Sequence, residues 1–600
     1  LRLPLPFSHA RDRRRAVLAA VALGALACSA APALANSAAA DYFRNRADRT
    51  AVPTLLSADE RGYYQQLFAA LSKQDWATSR QLLDQRADGP LHAVARAQYY
   101  LAAGSPRAEA SALTDLIARA PDLPWSDALA RLAIKRGAAS LPAALPDAQA
   151  LFAQPGLARR IKPHRVADGT MPDAVASAID ARVKADDAPG ARALLDGVDA
   201  TLSSEARAEW RQKIAWAFYI NNDDATARTI ALSAMDGGSG AWVAEALWTA
   251  GLAAWRLDDY PAAGDSFARA AGMTQNAELG AAANYWASRA WLRARMPDKV
   301  AASLRAAAAQ RDTLYGMIAA EALGLRETAS KASADFTGED WQRLRTIANV
   351  RLAVQLCEVG AEGLADQVLR HQARIGDPTL YAPLSRLARD LGLPGAQLWM
   401  AANAPAGAHA DEAARFPAPR WVPVNGWKVD PALLFAHALQ ETNFRTEAVS
   451  PAGARGVMQV LPGTARMLAR NEPVMAGRET QLDQPEVNLA FGQIYLKLLS
   501  EKPATQGLLP KVIAAYDAGP QPIDRWNSQI RDHGDPLLWM ESIPYWETRG
   551  YVTAVMRNYW MYERQAGGPS ESRIGLVQLQ WPRFPGLTGA TNTRLASRGD

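Results

Sequence analysis

A carboxyl group donates protons near neutral pH only where its surroundings disfavour the charged form. Glu441 is a candidate for such an acid. It closes the run Asp-Pro-Ala-Leu-Leu-Phe-Ala-His-Ala-Leu-Gln-Glu, which begins at Asp430. Asp430 is a good N-cap, and Pro431 suits the first helical position because its missing N–H has no intrahelical partner there anyway. The strong helix formers that follow predict about three turns of helix. With about 3.6 residues per turn, Leu434, His437, Ala438 and Glu441 share one face. Glu441 therefore ends a largely apolar stripe near the negative helix pole, and desolvation and the pole both raise its pKa. Beyond it, Ser450-Pro451-Ala452-Gly453-Ala454-Arg455-Gly456 must fold tightly before the apolar run Val457-Met458-Gln459-Val460-Leu461 reaches Pro462-Gly463. A glycine-dense turn beside a helix-borne carboxylate lets a ligand approach the backbone closely. The plainer reading is a capped core helix with a salt-bridged glutamate, but the length of patterned sequence around Glu441 favours a site.

Several stretches then carry a resemblance. They are Gln440-Glu441, Ser450 to Gln459, and Leu461-Pro462-Gly463-Thr464-Ala465, followed by Ala515-Tyr516-Asp517-Ala518-Gly519-Pro520 and Ile543-Pro544-Tyr545-Trp546-Glu547-Thr548-Arg549-Gly550-Tyr551-Val552. In this order they resemble the soluble lytic transglycosylase family, which cleaves the glycan strands of bacterial peptidoglycan. The resemblance implies a lysozyme-like, mostly α catalytic domain preceded by an α-helical superhelix. It also implies a lyase that needs no cofactor and no metal. Ordinary glycosidases use two carboxylates, whereas this family uses one glutamate and help from the substrate. By the resemblance, Glu441 is the acid and then the base, and Tyr516 sits beside it with a hydroxyl bonded to the carboxylate. Ser450, Met458 and Gln459 match groove-lining positions, with Gln459 offering amide hydrogen bonds to acetamido groups. Glu547 matches a second glutamate near the site, although pairing with Arg549 or capping the last helix would also explain it. Asn488 matches a position that braces the fold, or acts simply as a helix cap.

Three departures from the family pattern stand out. Thr442 replaces serine after the catalytic glutamate, and Leu461 stands where methionine is frequent. Asp517 replaces the asparagine of the usual Ala-Tyr-Asn-Ala-Gly-Pro motif. An ionised Asp517 near Glu441 would raise that pKa further or orient a water, shifting the outcome towards hydrolysis. A lysozyme-like hydrolase and a non-catalytic helical-repeat scaffold are accordingly the alternatives. Intact Gln440-Glu441, Met458-Gln459 and Tyr516 argue against the scaffold.

The elements that must hold these residues follow from the rest of the chain. Arginines at 11 and 13–15 precede a small-apolar run and Ala33-Leu34-Ala35, the pattern of a secretory signal peptide over residues 1–35. The expected location is the periplasm, with peripheral association with the outer membrane as an extension. Lipoprotein processing at Cys28 is the weaker alternative, because Ala25 stands where a larger aliphatic residue is expected. From 39 to 331 the sequence is alanine-rich and helical by period. The aromatics Tyr219, Trp255 and Trp291 recur 36 residues apart at helix-to-helix turns, which predicts stacked repeats of a solenoid. Trp242, Trp248 and Trp286 read as gap-filling core residues, the competing view being that some line a glycan surface. Residues 332–414 are expected to form a helical linker domain, 415–565 the lysozyme-like domain, and 566–600 a tail poorly ordered for much of its length.

Charge narrows the partners. The chain carries a net +5, and residues 1–35, with five arginines and one aspartate, hold four of those charges. What remains is nearly neutral, so nothing in the composition recruits nucleic acid. Peptidoglycan glycan strands are the expected partner, cell-wall synthesis or remodelling proteins a further class, and a monomer the expected state. Removal of the leader would leave Cys357 alone, among Val354, Leu356 and Val359, as a buried structural thiol. There is no metal-ligand spacing, phosphate loop or nucleophile–histidine pattern. His92, His164 and His371 stand alone, and His437 reads as a core histidine.

Overall fold

The structure, a computed structural model, describes residues 41–43, 45, 51–86, 88–142, 144–325 and 335–585. The leader expected at 1–35, with Cys28, lies outside the described residues, as do residues 586–600. Among the described residues the fold is almost wholly helical, and the sheet is a single antiparallel pair in which Leu151–Ala153 aligns with Asn403–Pro405.

The repeats set the geometry of the superhelix. Ser204–Ile220, Asp224–Ser233, Ala241–Arg256, Tyr260–Met273, Ala277–Arg293, Pro297–Ala308 and Leu314–Ala322 pack each on the next. The turn between paired helices repeats one device. Asp186, Asn222, Asp258 and Arg295 all adopt positive φ, the left-handed conformation that Asn and Asp tolerate best. In three of these turns the following aspartate caps the next helix: Asp187 accepts from the Gly190 amide, Asp223 from Thr226 and Asp259 from Ala262. Small residues let the helices approach closely. A Cβ on Gly251 would lie 2.5 Å from the Phe267 ring and one on Gly264 2.7 Å from Trp291. Trp248, Trp255, Phe267 and Trp286 form an edge-packed cluster, with Trp286 wholly buried.

The cores cut across the divisions expected from sequence. Helices between Ala58 and Lys135 share one core with residues 336–404, while residues 171–319 share another with residues 416–576. The region expected as one solenoid over 39–331 is therefore split. Its first helices fold back on the expected linker, and the short β pair fastens 151–153 to 403–405. Apolar periodicity shows that a helix buries a face without specifying which distant helix covers it.

In the C-terminal unit, the Pro431–Thr442 helix packs on Trp546–Gln565, flanked by Pro485–Ser500 and Leu509–Ala518. This unit docks on the superhelix through polar contacts. Arg289 pairs with Asp535 at 2.5 Å, Tyr315 donates to Glu541 at 2.8 Å, and Tyr219 and Ser542 share a 2.8 Å hydrogen bond. The expectation of a poorly ordered tail from 566 is corrected for residues 566–585. A Glu571–Val577 helix buries Leu576, Ser572 accepts from the Trp560 indole at 2.8 Å, and Trp581 packs edge-on to Trp539. Their apolar residues are too widely spaced to show a period, and partners far away in sequence hold them.

Truncating Trp286 to alanine removes the centre of the aromatic cluster. It should cost about 3–5 kcal/mol, seen as a lowered denaturation midpoint of the superhelix with the C-terminal site unaltered in the native protein.

Candidate active site

Glu441 is carried by the Pro431–Thr442 helix, whose start is fixed twice. Asp430 accepts from the Ala432 amide at 2.9 Å and from the Tyr559 hydroxyl at 2.9 Å. At its other end Asn443 and Phe444 both take positive φ, so the chain leaves the helix abruptly just after the carboxylate. The Thr442 hydroxyl donates to the Val457 carbonyl at 3.0 Å, tying this end to the glycine-dense loop. The methyl group that distinguishes threonine from serine is buried with the rest of the side chain.

The loop is shaped by Asn488, which uses its whole amide. It accepts from the Met458 N–H at 2.8 Å and donates to the Arg455 and Leu482 carbonyls at 2.9 Å each. Asn488 thus braces the loop. Gly456, at φ 74°, passes so close that any Cβ would collide with the Leu482 carbonyl and the Asn488 amide. Ser450, half-buried, closes the turn by accepting from the Ala454 amide at 3.0 Å.

Two expected groove residues are placed otherwise. The Met458 side chain is fully buried against Gly492 and belongs to the core. Gln459, at φ 49°, turns its amide onto its own loop and donates to the Gly456 and Ala448 carbonyls at 2.9 and 3.2 Å. The causes differ: the apolar Met458 side chain is drawn into the core, whereas the Gln459 amide turns inward because loop carbonyls left unpaired by the tight turn must find donors.

The tyrosine expectation also changes. Tyr516 donates to the Met458 carbonyl at 2.7 Å, stacks obliquely on His437 with ring centroids 4.7 Å apart, and does not bond the carboxylate. The residue that does is Tyr551, whose hydroxyl donates to Glu441 Oε1 at 2.6 Å and also lies 2.8 Å from His437 Nδ1. Tyr551 stands in the quoted Gly550-Tyr551-Val552 stretch.

Electrostatics favour a neutral acid. Burial pushes the Glu441 carboxyl from an ordinary value near 4.5 up to about 7; the Tyr551 hydrogen bond opposes this, and the charges of Asp517 and Glu547 add to it. Among the described residues no lysine or arginine forms a salt bridge with Glu441. Asp517 has an exposed surface, yet its Oδ2 accepts from the Thr548 hydroxyl at 2.5 Å. Burial of its carboxyl group pushes its own pKa upward. Glu547 is exposed on the first turn of the last helix. It is not paired with Arg549, which stacks on Trp216 and Trp546 and donates to the Glu541 carbonyl. A cavity of about 150 Å³ is lined by Gln440, Glu547 and Tyr551 together with Arg159, Arg160 and Glu278. No group of residues suited to a metal ion occurs among the described residues.

A buried acid held by one neutral donor, next to a loop with close backbone approach, can release a proton near neutrality and take it back. Tyr551→Phe removes the one hydrogen bond that, among the described residues, favours the carboxylate. A hydrogen bond to a charged group contributes about 1.5–3 kcal/mol, equivalent to about one to two pH units. The Glu441 titration should move upward by up to that amount, read by carboxyl infrared absorption against pH. A titration unchanged or moved downward would contradict this account of the site.

Comparison with known proteins agrees with the geometry. Residues 424–537 match the Transglycosylase SLT domain. The soluble lytic murein transglycosylase of Salmonella typhimurium is 32% identical over 159 residues, which are 26% of this chain and 24% of that protein. The putative enzyme of Haemophilus influenzae is 35% identical over 128 residues, 21% of each chain. The chain thus spans about a quarter of the length of these relatives in the matched sequence. Further upstream the likeness is one of fold. The crystal structure of the 70 kDa soluble lytic transglycosylase of Escherichia coli superposes with a TM-score of 0.52 at 18% identity, covering 88% of this chain and all of that one. A complex of the 70 kDa soluble lytic transglycosylase with bulgecin A gives a TM-score of 0.51 over the same share. Residues 424–537 thus carry a Transglycosylase SLT domain, and the architecture around it is similar in fold to that of soluble lytic transglycosylases.

Proposed function

We propose that the protein is a peptidoglycan lytic transglycosylase, cleaving the β-1,4 bond between N-acetylmuramic acid and N-acetylglucosamine without consuming water. One observation carries the reading: Glu441 is half-buried, burial raises its pKa to about 7, and among the described residues its hydrogen bond comes from a neutral hydroxyl. Such a group is an acid when substrate arrives and a competent base once it has given its proton away.

The steps follow from that. Protonated Glu441 donates to the glycosidic oxygen as the bond to the anomeric carbon breaks. The acetamido carbonyl oxygen of the muramic acid meets the positive charge left on that carbon. Ionised Glu441 then takes the proton of the muramic C6 hydroxyl, whose oxygen bonds to the anomeric carbon and displaces the acetamido oxygen. The product is a 1,6-anhydro ring, and Glu441 ends as it began. Water excluded by the buried surround cannot compete as nucleophile. Ser450 and Glu547 stand at the exposed rim of this site and are proposed sugar contacts. Gln459, Met458 and Tyr516 act by holding the loop that forms its floor.

The family's substrate supports a location in the cell envelope, and the sequence of residues 1–35 supports the periplasm. Among the described residues no helix is long and apolar enough to cross a membrane. The domain divisions are proposed as a ring-like superhelix with its helical linker, followed by the SLT unit from about 415 onward.

Two experiments test this reading. Glu441→Gln should abolish cleavage of purified sacculi, by about a thousandfold or more given what general acid catalysis contributes, with the fold intact by circular dichroism. Full residual activity would exclude the assignment. Mass spectrometry of wild-type digests should find anhydro-muramic ends, lighter than hydrolysed ends by one water; predominantly reducing ends would make the protein a hydrolase instead.

Asp517→Asn gives a further prediction. Removing this carboxylate takes away a charge that raises the Glu441 pKa, so the high-pH limb of activity should move to lower pH. An unmoved limb would show that Asp517 is not ionised during turnover.

A further inference from the structure

His437 has no role in the chemistry above, yet it is completely buried one helical turn before Glu441. Its ring nitrogens have unequal surroundings. Nδ1 lies 2.8 Å from the Tyr551 oxygen, while Nε2 is sealed from solvent and has no hydrogen-bond partner. The ring is neutral, because burial draws its pKa down to about 3. A neutral imidazole carries one proton, and its position is decided by which nitrogen can use it.

A proton on Nε2 would be a buried donor without an acceptor, which is costlier than a buried lone pair without a donor. A proton on Nδ1 instead donates to the Tyr551 oxygen. Tyr551 has a single proton, and Glu441 Oε1 at 2.6 Å accepts it in the charged state, the stronger of the two possible bonds. Both arguments select one direction of donation: His437 to Tyr551, and Tyr551 to Glu441.

We propose that His437 is a positioning residue of the site. Its Nδ1–H fixes the Tyr551 hydroxyl as a donor to Glu441 Oε1 and so confines the transferable proton of the neutral acid to Oε2. The opposite tautomer would let Tyr551 donate to Nδ1 and accept from Glu441, turning the acid's proton inward and away from the glycosidic oxygen. With the observed burial the arrangement is the same before and after proton transfer. One glutamate can therefore change from acid to base without any reorientation of its neighbours. The groups facing this relay are few. Tyr551 and Glu547 come from the last helix, and Tyr516 and Asp517 from Leu509–Ala518, with Tyr495 stacked behind Tyr516.

The proposal rests on Glu441 being the acid–base group, so it needs a readout that does not depend on turnover. The full-length protein is labelled with nitrogen-labelled histidine, of which it has seven. The His437 ring is then assigned by the signal lost in His437→Asn. The expected result is a directly bonded proton on Nδ1 and none on Nε2; a proton on Nε2 overturns the proposal, whatever the enzyme's activity. The second arm compares two variants on sacculi. His437→Leu, which has no donor, should lower kcat about tenfold, the effect of one hydrogen bond, with KM within about twofold. The high-pH limb of its activity should move upward, because the ionised carboxylate has lost support. His437→Asn, whose side-chain N–H falls near the place of Nδ1, should recover most of kcat and return the limb. Wild-type kcat and pH profile in His437→Leu would overturn the proposal. If that variant fails to fold, the tautomer of the wild-type ring still decides it. Activity surviving in Glu441→Gln would instead sink the transglycosylase reading and leave the ring measurement standing on its own.

Discussion

The structure turns on a carboxyl group kept half-dry without a cation. Burying a carboxylate with an arginine or lysine would stabilise the charged form and leave a group unable to donate near neutral pH. Here the surround of Glu441 offers one neutral hydroxyl and two other carboxyl groups, Asp517 and Glu547, whose charges push the same way as burial. The buried positive groups near the site are engaged elsewhere. Arg549 is spread over Trp216 and Trp546, and Arg160 pairs with Glu245 at 2.8 Å. The helix that carries Glu441 is held at its start by a doubly bonded aspartate, so the carboxyl group cannot relieve its desolvation by moving.

The last helix, Trp546–Gln565, joins site and scaffold. It presents Tyr551 to the carboxyl group and Thr548 to Asp517, and it sends Tyr559 to the helix cap at Asp430. From the same helix Arg557 reaches the Ala158 carbonyl, and Arg549 lies on Trp216 of the superhelix. The preceding segment is docked by Arg289, Tyr315 and Tyr219. The superhelix therefore bears directly on the element that orients the acid. Polar docking of this kind, with donors and acceptors paired across the contact, fixes an orientation more sharply than apolar contact alone.

Particular residues show how far sequence reading reaches. The cap at Asp430, the position of Glu441 at a helix end, the tightness required at Gly456 and the recurring turns of the superhelix were all legible, because each is a local consequence of backbone geometry. Gly456 needs its positive φ regardless of what surrounds it. The role of Asn488 was legible as one of two readings, and the structure shows the bracing one. What could not be read were contacts between segments far apart in the chain. Tyr516 and Tyr551 both stand in patterned stretches beside the site, and only the packing of their helices shows that Tyr551, 110 residues from Glu441, is the one that bonds it. The ordered segment 566–585 was missed for the same reason: Leu576 and Trp581 have no periodic company, and Trp539 and the superhelix supply their partners.

The sequence by itself determined the helical class, the repeating superhelix and a carboxyl group at the end of an apolar stripe, since side-chain period and turn chemistry act within a few residues. Tertiary structure alone decided that two separate cores close the chain on itself. It also decided that Met458 and Gln459 serve their own loop, and that a histidine and a tyrosine meet at the acid. A helical pattern states which face is buried. The identity of the group that arrives there depends on the crossing of distant helices, where a hydroxyl finds its acceptor only within hydrogen-bonding distance.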